Sequence, residues 1–200
     1  MFLGGEGPNE LGSYTGHHAY YDPRQSGVIA ALLKRVQPTG WRVVGATKWS
    51  EIRKFRAHGP WPNEARNVRA LILRAKEARA DVLAFTRDSD GDWTRVRDIE
   101  LAMAEHDASR ANLELIGGIA VPVLEAWLLA LDGELGTERL SKAAAQARFE
   151  QKHHFAKVTE KVVAYVERAE LKDIPSDAVR LARWLARARD VLSVDGSSDT

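Results

Sequence analysis

Two hundred residues, 44% hydrophobic and 28% charged with a net charge of +1, describe an ordinary globular chain able to build one good core. The chain has no cysteine, which excludes disulfides, zinc–thiolate sites and thiol nucleophiles and fits a reducing compartment. No apolar run approaches the roughly 18 residues of a membrane span, and no basic leader precedes an apolar stretch, so a cytoplasmic protein without a membrane partner is expected.

Met1 to Gly5 reads as a short first strand, followed from Gly7 to Gln25 by a loop rich in Gly, Tyr and His. Ser26 to Val36 is expected to be helical, with Val28, Ile29, Leu32 and Leu33 on one side, and Pro38-Thr39-Gly40 ends it. Trp41 to Ala46 is a second strand. Lys48 to Asn63 is an irregular aromatic and basic loop, and Asn63 starts a helix whose stripe is Val68, Leu71, Ile72 and Ala75. Asp81 to Phe85 is the third strand, Thr94 to His106 a helix, and Leu113 to Ile119 the fourth strand. Past a Gly117-Gly118 turn, Pro122 opens a helix that runs to Leu131. From Asp132-Gly133 onward the pattern is helical only, over Glu138–Glu150, His153–Glu170 and Ser176–Leu192. Strands alternating with helices predict an α/β fold with a parallel four-stranded sheet flanked by helices over residues 1–133, and a C-terminal helical extension over 134–200 packed on it.

Charge is unevenly spread. Between Lys34 and His58 there are seven Lys or Arg and one acid, Glu51. Such a run is either a solvated face or a surface for a polyanion. Lys48, Arg53, Lys54 and Arg56, interleaved with Trp49, Phe55 and Trp61, together with Arg87, are the candidate nucleic-acid contacts. Other candidates are weaker: the adjacent His17-His18 and His153-His154, and the stripe Arg180, Arg183, Arg187.

The acidic residues carry the strongest signal. The third strand empties into Arg87-Asp88-Ser89-Asp90-Gly91-Asp92, and the first into Gly5-Glu6-Gly7. In an open parallel sheet, ligands bind outside the carboxyl ends of the strands, so Glu6, Asp88, Asp90, Asp92 and Glu125 are expected on one edge. Clustered carboxylates repel one another unless a cation neutralises them, and hard cations prefer oxygen ligands. An EF-hand loop is a poor fit: counted from Asp88, Gly91 stands at position four rather than six, and position twelve is Ile99 rather than Glu. Taken alone, the same acidic run is also a capped turn. No phosphate-binding G-x-x-x-x-G-K-[ST] loop and no G-x-S-x-G elbow occurs.

Gly5-Glu6-Gly7 after strand one and Asp88-Ser89-Asp90 after strand three resemble the Glu and Asp-x-Asp motifs of the TOPRIM domain, over roughly Met1 to Asp132. The segment Ile119 to Ala130, with Leu124-Glu125-Ala126-Trp127-Leu128-Leu129, is similar to a signature of the TOPRIM-like DUF4276 group. The resemblance implies a Mg²⁺- or Mn²⁺-dependent nuclease of nucleic acid, of a kind found in anti-phage defence loci beside a partner ATPase. It implies Glu6 as acid/base or metal-anchoring carboxylate, Asp88 and Asp90 as metal ligands with catalytic roles, and Asp92 and Glu125 as supporting or second-metal ligands. The loop after Glu6 is longer than in simpler relatives. A non-catalytic regulatory or sensor subunit of the same fold is the alternative, and homo-oligomerisation is left open.

Overall fold

In the computed structural model, residues 1–12, 26–52, 63–109, 112–154 and 159–193 are described. Four parallel strands, β1 (Phe2–Gly5), β2 (Gly45–Lys48), β3 (Val82–Asp88) and β4 (Glu114–Ala120), form one sheet in the order β2-β1-β3-β4. The helices in chain order are α1 (Pro8–Leu11), α2 (Val28–Val36), α3 (Trp49–Ile52), α4 (Asn63–Glu77), α5 (Trp93–Ala108), α6 (Leu124–Leu131), α7 (Lys142–His153), α8 (Thr159–Arg168) and α9 (Val179–Ser193). The expected α/β architecture with an all-parallel sheet is therefore what the chain adopts. No helix among the described residues is long and apolar enough to cross a membrane.

Both faces of the sheet are covered, which is why the strands read as near-continuous apolar runs. One face packs Leu3, Ala84 and Ile116 against α2, α6, α8 and α9. The other packs Leu83, Phe85 and Leu115 against α3, α4 and α5. The C-terminal helices α8 and α9 share the first of these cores, with Val162, Val166, Leu181 and Trp184 buried in it. Two arginines of the α9 stripe pin that helix down. Arg180 pairs with Glu100 of α5; Arg187 pairs with Asp107 of α5 and donates to the Leu115 carbonyl of the edge strand β4. Arg183 stays exposed.

Several boundaries differ from those expected, each for a physical reason. β2 covers Gly45–Lys48, in register with Phe2–Gly5 of β1, and Trp41 is turned back to donate to the Gln37 carbonyl at 2.7 Å. β3 runs three residues past Phe85, because β4 continues to pair through Thr86↔Gly118, Arg87↔Ile119 and Asp88↔Ala120. Gly117 and Gly118 form no turn. They lie inside β4, where a Cβ would stand 2.5 Å from the Phe85 ring or 2.6 Å from Trp184. The bare backbone at Gly118 lets Trp184 approach and donate its Nε1 to the Phe85 carbonyl at 3.1 Å. α6 starts at Leu124 rather than Pro122, whose carbonyl instead accepts from Asp90 N at 2.9 Å. In the helical half, α7 begins at Lys142, capped by the Ser141 hydroxyl, after a short 3-10 turn at Thr137–Arg139.

Gly117→Ala is expected to lower stability by about 1–3 kcal/mol through overpacking against Phe85. Urea unfolding measures it, and an unchanged midpoint would contradict the close approach.

Candidate active site at the carboxyl edge of the sheet

The strand ends meet on one edge, as the parallel topology requires. Gly5 is paired with Lys48 at the end of β2, so Glu6 emerges beside that lysine. Asp88 is the last residue of β3 and is 5% exposed. Glu6 Oε1 accepts from the Asp88 backbone N–H at 3.1 Å and pairs with the Arg87 guanidinium. Asp88 Oδ1 accepts from Leu124 N at 2.8 Å, which ties the end of β3 to the start of α6. The sequence-predicted Glu6 is thus brought against the backbone of Asp88, while the Asp88 carboxylate faces the start of α6.

The rest of the acidic turn has other partners. Asp90 and Gly91 take positive φ values of 53° and 79°, a turn that Asp and Gly tolerate. Asp90 Oδ1 accepts from Lys142 Nζ and Oδ2 from Arg95 Nη1, each at 2.7 Å. Burial alone would raise the Asp90 pKa, but the bonds from Lys142 and Arg95 outweigh it and hold the carboxyl below its ordinary range. Asp92 is the N-cap of α5, accepting from Thr94 N at 2.8 Å and Arg95 N at 3.3 Å. Glu125, 3% exposed, is buried in the first turn of α6.

Arg87 is 6% exposed, so it stands inside the acid network rather than on an open nucleic-acid surface. Besides Glu6, it faces Glu64 Oε1 at 3.5 Å and the Trp49 ring at 5.5 Å. Burial, reinforced by the neighbouring Arg95 charge, lowers its pKa to about 10, against the pull of Asp90 and Asp88. Glu64, in the first turn of α4, is the shared acceptor. Its Oε2 takes bonds from Trp49 Nε1 at 2.8 Å and Asn67 Nδ2 at 3.0 Å, and its Oε1 lies 3.4 Å from Arg95 Nε. Arg95 also donates to the Asp88 carbonyl at 2.8 Å.

Glu64, Arg95 and Lys142 were not expected at this edge, whereas a Trp49 buried over the sheet edge was the alternative to an exposed stacking surface. Glu64 carries only the ordinary signal of a first-turn helix acid. Lys142 reaches Asp90 from 52 residues away, a contact with no local signature. Of the basic candidates, Lys48 lies on the edge, while Arg53, Lys54 and Arg56, like His17 and His18, fall outside the described residues. His153 is bonded to Asp132 at 2.8 Å, away from this edge.

The donor set is all carboxylate, the chemistry a hard cation takes. Among the described residues, no group of three or more His, Asp or Glu is placed to hold a metal ion. Glu6 with Asp88 suits the alternative arrangement, in which one or two carboxylates serve Mg²⁺ and water and substrate phosphate complete its shell. Comparison with known proteins finds no matching family model, no similar curated protein and no similar solved structure.

Two outcomes check this geometry. Glu64→Ala leaves Arg87 and Arg95 short of an acid in a buried site and should cost about 3 kcal/mol in chemical denaturation. Asp90→Asn gives a pH signature. Because the folded Asp90 pKa is lowered, its stabilising contribution is present above the ordinary carboxylate value and is lost as pH falls through the folded value. The stability difference between wild type and Asp90→Asn should therefore be full at pH 7 and shrink below about pH 4.

Proposed function

We propose that this edge is the active site of a Mg²⁺-dependent nuclease. The convergence of Glu6 and Asp88 from neighbouring strands β1 and β3 supports the reading most directly. Glu6 and Asp88 would hold the ion. When bound, a divalent cation polarises a phosphodiester and lowers the pKa of an attacking water. Glu6, its side chain 29% exposed, is within reach of solvent, while Asp88 is fixed by Leu124 N. Lys48, beside Gly5, adds positive charge to the same edge and suits a substrate phosphate. Asp90 serves as the anchor that holds the turn through Arg95 and Lys142, and Asp92 as the cap that starts α5. The TOPRIM-like resemblance, and the defence setting with a partner ATPase that it implies, belong to the same proposal.

Incubation with Mg²⁺ or Mn²⁺ and single- and double-stranded DNA and RNA tests it. Cleavage is expected, and Glu6→Gln or Asp88→Asn should slow it about a hundredfold or more. Asp88→Asn that cleaves like wild type refutes the assignment.

One observation favours a second reading. Glu6 and Asp90 already have cationic partners in Arg87, Arg95 and Lys142, so these two carboxylates are paired as the edge stands. A non-catalytic regulatory subunit would keep this network for stability alone. A stable complex with an ATPase that survives Glu6→Gln and Asp88→Asn, with no cleavage by the complex, would favour that reading.

A further inference from the structure

Three tryptophans, Trp49, Trp127 and Trp184, are at most 2% exposed, and each fills part of the core. Trp93 is 64% exposed. It is the first residue of α5, directly after the Asp88–Asp92 turn, and the helix faces its core with Val96, Ile99 and Ala102 instead. Its ring leaves an aromatic face in water beside the candidate active site, a surface on which a flat ligand can stack.

Trp93 lines a cavity of about 350 Å³, together with Gly91, Val121, Pro122, Arg139 and Asp177. That volume lies in the range of small-molecule sites, roughly 300–1,000 Å³. The cavity shares a wall with the acidic turn: Asp90 N donates to the Pro122 carbonyl at 2.9 Å and the Ser89 hydroxyl donates to it at 3.3 Å. It therefore adjoins the turn that follows Asp88.

Two polar groups complete it. The Arg139 side chain is exposed, and its guanidinium has no hydrogen bond or ion pair among the described residues. Asp177 Oδ2 accepts from Gly136 N at 2.7 Å, whereas Oδ1 is a buried acceptor with no hydrogen-bond partner among the described residues. The remaining acid on the wall, Glu138, is occupied by Arg180 N at 2.7 Å. An aromatic face and a spare guanidinium beside one cavity are what an unpaired nucleobase with its phosphate requires: stacking and a countercharge.

We propose that this cavity is a nucleobase subsite, in which Trp93 stacks one base of a single-stranded nucleic acid and Arg139 meets its phosphate. The proposal rests on the reading of the adjacent edge as a phosphodiester site and names its substrate class as single-stranded.

Fluorescence anisotropy with labelled ten-nucleotide DNA and RNA strands, in EDTA, tests binding apart from cleavage. Wild type should bind. Trp93→Ala should weaken binding about tenfold or more, and Trp93→Phe should keep most of it. Arg139→Ala should weaken binding and flatten its salt dependence. Trp93 is exposed, so an unchanged thermal midpoint is expected for both Trp93 variants. Absence of binding by wild type, as for a tryptophan that docks a protein, overturns the subsite, and so does unchanged binding by Trp93→Ala. Binding that needs Trp93 without any cleavage leaves the subsite standing and removes the nuclease. Cleavage that needs Asp88 but not Trp93 does the reverse.

Discussion

A buried arginine organises this protein's carboxyl edge. Arg87 is the penultimate residue of β3, and its partners come from three other elements: Glu6 after β1, Glu64 in α4 and the Trp49 ring in α3. A charge removed from water is costly unless it is paired and hydrogen-bonded, so those partners have to be where they are. Arg95 repeats the device one layer out, bridging Glu64, Asp90 and the Asp88 carbonyl, and Lys142 extends it to α7. The chain of charges holds two strand ends, α4, α5 and the helical C-terminal segment in one register. It fixes the positions of Glu6 and Asp88 more tightly than backbone pairing alone, since β1 is only four residues long.

Much of this was legible in the residues. The alternation of apolar strands and amphipathic helices gave the parallel sheet, and the parallel sheet in turn placed Glu6 and Asp88 on a common edge. The misplacements share one cause, which is that long-range partners decide burial. Thr86, Arg87 and Asp88 look like the start of a loop, yet they finish β3 because β4 and the ion network bury them. Gly117-Gly118 looks like a turn, yet it is strand backbone kept bare for Phe85 and Trp184. Glu64 and Lys142 had no local pattern that could distinguish them from helix-surface charges.

The geometry also sorts the acids that the sequence grouped together. Five carboxylates were expected on one edge, around one or two cations. The structure instead gives Glu6 and Asp88 a shared contact, makes Asp90 the salt-bridged anchor of the turn, makes Asp92 a helix cap and buries Glu125 in α6. The division suits a small site that relies on substrate phosphate to complete an ion's shell, rather than a dedicated cage. The Asp88–Asp92 turn begins at the carboxylate that ends β3 and leads into the exposed Trp93 that starts α5.

The central claim is that Glu6 and Asp88 together receive a divalent cation. Anomalous scattering from crystals soaked in Mn²⁺ tests it most directly. The expected result is a single strong peak within ligand distance of Glu6 and Asp88 carboxylate oxygens, with Arg87 displaced from Glu6 and the peak lost in Asp88→Asn. A soaked crystal with no peak at this edge, and with Glu6 still paired to Arg87, would contradict it.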